Sequence, residues 1–400
     1  MKQIAAINAA ILLALSTATA QSIYDDWMAD IADHTYISQL SIPGSHDSAT
    51  GHGFSGWLSA FGEAYARTQD KNITEQWQSG IRAFDLRPCV DGSDMPIYHG
   101  ILPTNLKMDE ALATLCDLLD QHPTEAAIVI VRHETDGDNG DNNWNKMMMT
   151  LLSEDNINAH CATFKPLLTM GEVRGKMLIL SRDKYATNPI GGFINNWSHS
   201  STFSDQTKST ITAKGTSTPC YVQDFYDCSA SGAKATKTDA ITTLLTFTAT
   251  RNKNTRLWCI NHTSGYSLTT SFFGSETSSS DGYRDNAATQ NKAVIDFLTA
   301  TPGPTGIIMM DYAATDRSGN YDVMGLSLTQ AIIENNAQYE PKGNHIDQTE
   351  FQTLPSDTHY SARRLNSAAY YSLSGHRAAT NSKAIIITEE KKIIVRQPAK

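Results

Sequence analysis

The 400-residue chain lacks a surplus of positive charge: 32 lysines and arginines stand against 42 aspartates and glutamates, a formal net charge of −10. A nucleic-acid binder is expected to carry a basic patch, so this balance argues against one. It also means that the field of the whole molecule would not draw it to an anionic bilayer. No run of about 20 apolar residues follows the N-terminus, so no later segment reads as a membrane-spanning helix. Cysteine is sparse. The six present (Cys89, Cys116, Cys161, Cys220, Cys228, Cys259) include no C-x-x-C pair, which excludes the common zinc and redox motifs. Disulfides are permitted if the chain is exported, but the sequence does not choose among the pairings, and the plainer reading is small buried residues.

Export is what the first residues suggest. Lys2 supplies a positive end, residues 4–15 form a short apolar run, and Ala18-Thr19-Ala20 is a small-residue cleavage site. A signal peptide over residues 1–20 is expected, with the mature chain starting near Gln21 and secreted or held at the cell surface.

Chemistry begins at Ser41-Ile42-Pro43-Gly44-Ser45-His46-Asp47-Ser48, where an apolar run over 36–42 stops at a Pro-Gly turn. A strand that ends in a tight turn holds the next side chains rigidly at a sheet edge, and histidine moves protons near neutral pH. A second constellation follows at GIRAFDLR (80–87) and at Tyr98-His99-Gly100. Strand alternation puts Asp85 and Arg87 on one face, where they can hold each other ionised and present a guanidinium fork suited to phosphate.

Eight strand-like runs (36–42, 80–87, 95–98, 126–132, 176–181, 220–226, 256–261, 305–310) alternate with helical patterns such as 109–121 and 287–300. Such alternation predicts a parallel sheet, and eight repeats predict a closed (βα)8 barrel of the TIM type. It should be distorted or partly open, because the connection over 90–96 is too short for a helix and that over 184–219 is long and polar. His46, Asp47, Asp85, Arg87, His99, Arg132, Glu134, Arg182, Asp224, Tyr226 and Asp311 all follow run ends, and a barrel would gather them at its C-terminal mouth. One or two such charges are ordinary structural ion pairs. A ring from seven runs is not.

IPGSHDS (42–48), GIRAFDLR and YHG (98–100) resemble the X-domain signature of bacterial phosphatidylinositol-specific phospholipases C. The likeness continues, in the family's order, through HPTEAAIVIVRHE (122–134), VRGKMLILSR (173–182), YVQDFY (221–226), LWCINHTS (257–264) and TGIIMMDY (305–312). It implies the distorted barrel, peripheral contact with phosphatidylinositol in membranes, and cleavage to diacylglycerol and inositol 1,2-cyclic phosphate. His46 would be general base, steadied by Asp311, and His99 general acid with Asp47 as its carboxylate partner. Arg87, oriented by Asp85, would lie against the phosphate. Arg132, Arg182, Asp224 and Tyr226 would grip the inositol ring. Arg132 departs from the lysine of the best-known bacterial members. Animal relatives hold calcium in this part of the site, and a guanidinium at Arg87 would repel that ion, so no metal or other cofactor is expected.

A glycerophosphodiesterase-type enzyme of the same barrel class, cleavage of glycosyl-phosphatidylinositol anchors and a non-catalytic binding module are the alternatives. Aromatics in loops expected at the mouth, Phe272 and Phe273 in one and Phe54 and Trp57 in another, would enter the membrane interface or pack loop against loop. The barrel domain should span 21–337, a polar linker 338–366, and a small β appendage 367–400 that resembles type IX secretion sorting tails. A monomer is expected.

Overall fold

Period-two alternation of apolar side chains organises the strands of the barrel. The computed structural model describes residues 24–199, 209–250, 256–272 and 275–343, together with three short strands between 369 and 396. It divides into two units, Met1–His345 and Ile346–Lys400.

In the first unit the strands in chain order are β1 (Ser41–Ser45), β2 (Ala83–Leu86), β3 (Pro96–His99), β4 (Leu102–Lys107), β5 (Ala126–Val131), β6 (Lys176–Ser181), β7 (Gly192–Asn195), β8 (Thr210–Ala213), β9 (Thr216–Gln223), β10 (Trp258–His262), β11 (Thr269–Phe272), β12 (Ser275–Ser278) and β13 (Gly306–Met310). Nine of them close a barrel in the order β1-β13-β10-β9-β8-β7-β6-β5-β2, with β2 paired back to β1. All neighbours are parallel except β8, which runs against both β7 and β9. In the second unit, β14 (Ala369–Tyr371), β15 (Ala384–Ile387) and β16 (Ile393–Arg396) form an antiparallel three-stranded sheet.

The barrel is therefore closed and nine-stranded, which corrects the eight-run expectation in two places. The run at 95–98 is not a barrel strand: β3 folds back on β4 as a side hairpin through Gly100, whose φ of 59° suits glycine. The polar stretch over 184–219 supplies β7 and β8 instead. Each of these points one large apolar side chain inward, Ile194 and Ile211, both essentially inaccessible. A strand with a single inward isoleucine carries too little hydrophobicity to stand out from a loop.

Barrel filling follows alternation. Ile42, Ala83, Ile128, Ile130, Leu178, Leu180, Val222, Ile260, Ile307 and Met309 belong to one buried cluster. Gly44 completes it by absence, since a Cβ there would lie 2.6 Å from Met309 Sδ and 2.9 Å from Ala83 Cβ. Outward residues such as Phe84, Val129, Ile179 and Ile308 pack under the surrounding helices. The helix Met108–Gln121 shows why those helices form: Ala111, Leu112, Leu115, Cys116, Leu118 and Leu119 recur at three- and four-residue spacing and are all buried. At the barrel floor the segment Trp27–Asp30 is tied to the sheet by the wholly buried pair Arg82–Glu125, whose Glu125 Oε1 accepts the Met28 N–H at 3.0 Å. None of the six cysteines forms a disulfide.

The signal-peptide reading falls outside the described residues, as do most of the expected linker and Phe273; the side chain of Phe272 is likewise undescribed. Phe54 is not a rim aromatic. It is 5% exposed and packs with Ala66 and Leu102 over Gly62, where a Cβ would collide with its ring.

Candidate active site

Each inward-facing series turns from apolar to polar at the same end of the barrel. Ile42 and Gly44 lead to His46; Ala83 to Asp85 and Arg87; Ile128 and Ile130 to Arg132; Leu178 and Leu180 to Arg182; Cys220 and Val222 to Asp224; Trp258 and Ile260 to His262; Ile307 and Met309 to Asp311. Apolar layers fill the barrel and the next layer up is the site. It opens into a cleft of about 280 Å3 lined by His46, Arg87, His99, Arg132, Glu134, Arg182, His199, Asp224, Tyr226, Tyr266, Ser278 and Tyr283, among others.

His46 lies just past β1, its N–H donated to Met310 O at 2.9 Å. Its Nδ1 is 2.8 Å from Asp311 Oδ1, and Asp311 Oδ2 accepts the Gly265 N–H at 3.0 Å, so the carboxylate is fixed from both sides. The Nε2 atom is 3.1 Å from Asp47 Oδ2. Burial disfavours charge on this imidazole, but Asp47 and Asp311 outweigh it and raise its pKa above the ordinary value. Asp47 itself adopts a left-handed φ of 44°, uncommon for a residue with a side chain. Thr50 holds that turn, its N–H and hydroxyl both donating to Asp47 O at 3.0 Å.

Arg87 sits between acids. Nε and Nη2 both donate to Asp85 Oδ2, at 3.1 and 2.6 Å, and Nε is also 3.0 Å from Asp47 Oδ1. Nη1 has only Glu134 Oε2, at 3.6 Å. Burial opposes ionisation of both partners, yet the carboxylates hold Arg87 well above its usual value and the guanidinium holds Asp85 well below its own. His99 reaches the cleft from the β3–β4 hairpin. Its Nδ1 is 2.7 Å from Ala66 O, and a carbonyl only accepts, so Nδ1 carries the proton. Nε2 faces Tyr283 Oη at 3.3 Å. The expected Asp47 partnership spans 3.6 Å, an ion-pair distance and not a hydrogen bond. The imidazole rings of His46 and His99 are 6.3 Å apart.

On the far wall the guanidinium of Arg182 lies 4.0 Å over the Trp197 ring. Trp197 Nε1 donates to Asp224 Oδ2 at 2.7 Å, and His199 Nδ1 is 3.0 Å from the same oxygen. Burial pulls Arg182 down to about 10; it opposes ionised Asp224 too, but His262, His199 and Arg182 hold that carboxyl well below its usual range. Arg132 Nη2 is 3.5 Å from Glu134 Oε1, and Tyr226 is half exposed with its ring 5.4 Å from His199. Every polar candidate expected at the mouth, together with Tyr226, thus lies in or beside one cleft.

The sequence reading missed His262, Trp197, His199, Tyr266 and Tyr283. His262 was legible, because alternation along β10 carries Trp258 and Ile260 on to it. Its ring is 6.0 Å from that of His46, and burial pushes its pKa down to about 3, so it is neutral. The others come from connections and from a helix start, where no strand periodicity points inward.

Among the described residues His46, Asp47 and Asp85 bring metal-ligand atoms within 4.8 Å of one another. The guanidinium of Arg87 already engages both carboxylates. A divalent cation would have to share that space with a fixed positive charge, so the donor set does not fit calcium.

Residues 40–183 match the family model described as phosphatidylinositol-specific phospholipase C, X domain. The 1-phosphatidylinositol phosphodiesterase of Listeria monocytogenes is 29% identical over 161 residues, covering 39% of this chain and 48% of the relative. That of Staphylococcus aureus is 28% identical over 115 residues, covering 28% and 36%. The chain thus spans half or less of the curated relatives it matches. The fold extends further. The solved Listeria monocytogenes phosphatidylinositol-specific phospholipase C superposes with a TM-score of 0.57 at 23% identity, covering 78% of this chain and 98% of that one. A double mutant of the Staphylococcus aureus enzyme gives 0.62 at 20%, covering 81% and 99%. The barrel is of their TIM type.

Proposed function

We propose that the protein is a metal-independent phosphatidylinositol-specific phospholipase C. One observation carries the reading: two imidazoles, each with Nδ1 fixed by an acceptor and Nε2 turned to the same cleft, flank an arginine clamped by two carboxylates. His46 Nε2 takes the proton of the inositol 2-hydroxyl, whose oxygen attacks the neighbouring phosphorus; Asp311 stabilises the imidazolium that forms. His99 Nε2 gives a proton to the diacylglycerol oxygen as its bond to phosphorus breaks. Arg87 faces the non-bridging oxygens and neutralises their growing charge, so no step needs a divalent cation. The products are diacylglycerol and inositol 1,2-cyclic phosphate. Arg182, Asp224 and Arg132 offer donors and acceptors to ring hydroxyls, and Tyr226 offers a face for stacking. At about 280 Å3 the cleft lies at the small end of ligand pockets, suited to one polyol ring and its phosphate.

Membrane docking is supported by where apolar surface is left bare. Trp57 (83% exposed), Ile101 (53%), Tyr226 (46%) and Leu268 (43%) are the exposed large hydrophobics among the described residues, and all lie in segments following β1, β3, β9 or β10. Such residues can enter a bilayer interface without help from net charge. No helix among the described residues is long and apolar enough to cross a membrane. We read the first 20 residues as an export signal and the terminal three-stranded sheet as a sorting tail; pulse labelling and mass spectrometry of exported protein would reveal both cleavages.

Purified protein assayed with excess chelator on labelled phosphatidylinositol should release inositol 1,2-cyclic phosphate. A calcium requirement would defeat the metal-free mechanism. Turnover of glycerophosphoinositol alone would point to a glycerophosphodiesterase, and turnover of a glycosyl-anchored protein would widen the substrate class.

A further inference from the structure

Tyr283 stands in the first turns of the helix Ser280–Ala300, 5% exposed, its ring 5.9 Å edge-on from Tyr266 and 5.7 Å from that of His99. Its hydroxyl is 3.3 Å from His99 Nε2. Since the Nδ1 proton is committed to Ala66 O, a neutral His99 has a bare Nε2 that can only accept. We propose that Tyr283 is a positioning residue for the general acid, its hydroxyl aimed at the nitrogen that loses a proton during the reaction.

This rests on the assignment of His99 as acid and adds what makes it a good one. When the phosphorus–oxygen bond to diacylglycerol breaks, its electron pair goes to the departing oxygen, which takes the Nε2 proton. The electron pair of that N–H bond stays on Nε2 and accepts the O–H of Tyr283. The phenol can donate to Nε2 only as that proton leaves, the reverse of the Nε2–H to Oη direction of the charged acid, and this reversal favours the transition state over the ground state. Burial raises the pKa of Tyr283, so the hydroxyl keeps the proton it must offer. Asp47 Oδ2 lies 3.6 Å from the same nitrogen, at ion-pair distance. The phenol eases the discharge of the acid.

Tyr283→Phe removes the hydroxyl and keeps the ring. On a soluble short-chain phosphatidylinositol, whose alkoxide must be protonated to leave, kcat should fall roughly two- to tenfold, the worth of one hydrogen bond, with KM unchanged. On the nitrophenyl ester of inositol phosphate, whose phenolate leaves without a proton, the variant should match wild type. Equal loss on both substrates, or loss on neither, would overturn the proposal. His99→Ala run alongside separates the two ideas: if it too loses as much on the nitrophenyl ester as on the lipid, His99 is not the acid and the assignment beneath the proposal fails.

Discussion

Two arginines five residues apart, one just before β2 and one just after it, meet carboxylates at opposite ends of the barrel. At the floor Arg82 and Glu125 are inaccessible, and all five guanidinium donors are spent: Nε on Glu125, Nη1 on Trp77 O and Ile81 O, Nη2 on Tyr24 O and Asp25 O. At the mouth Arg87 leaves Nη1 at 3.6 Å from Glu134 Oε2, while Asp85 Oδ1 and Glu134 Oε2 are buried without a hydrogen-bond partner. A buried polar group left unsatisfied costs about 1–3 kcal/mol, and a fold tolerates that where something else returns it. The floor pair is complete and holds the chain together. The mouth pair is incomplete, as a group waiting for a substrate must be.

The largest effect expected is at the mouth. His46→Ala and His99→Ala should each lower turnover about 10²- to 10⁴-fold while the melting temperature stays near wild type. Either variant retaining a tenth of the activity would remove that histidine from the chemistry. Arg87→Lys should come next, losing about 10²- to 10³-fold, because an ammonium keeps the charge but not the fork. The floor should behave in the opposite way. Arg82→Met strands a buried carboxylate and should cost about 3–5 kcal/mol of stability in urea unfolding, with kcat of the folded fraction intact. Adding Glu125→Leu should recover much of that stability. A catalytic defect in Arg82→Met at full folding would erase the distinction between the two ends.

The pH profile offers a finer test. His46 works as a base only when neutral, and its pKa in the folded protein is raised above the ordinary 6.5. Turnover should therefore climb with pH through a midpoint above 6.5. Asp311→Asn removes one of the charges that hold it up, so the midpoint should move down in pH even as the rate falls. Smallest of all should be Trp57→Ser, which removes the most exposed apolar residue: a several-fold loss of vesicle binding and turnover, with hydrolysis of soluble inositol cyclic phosphate unchanged.

The parts legible in the sequence are those with strong alternation. β5 reads AAIVIV and β6 reads KMLILS, and extending each by one residue leads to Arg132 and Arg182. β7 and β8 were illegible because each is four residues long and contributes one inward isoleucine, in GFIN and TITA. β3 was misread because it is an apolar run like the others, and only its pairing with β4 makes it a hairpin. His99 was placed at the mouth despite that error, because the hairpin carries it to the same cleft that a barrel strand would have reached. Tyr283 and His199 had no signal at all. They enter the cleft from a helix start and a connection, where position depends on packing across distant parts of the chain.

Closure of the barrel has a consequence in time. The seam between β1 and β13 joins the two ends of the barrel domain, and the contact between His46 and Asp311 crosses it at a sequence separation of 265. Bringing such distant segments together costs about 5 kcal/mol in chain entropy by length alone, so this pairing is held only once the intervening strands have taken up the slack. The proposed base is thus assembled by the last barrel strand to leave the ribosome. A nascent or truncated chain carries His46, Arg87 and His99 but no partner for the proposed base, so the proposed activity stays silent until the last barrel strand is in place.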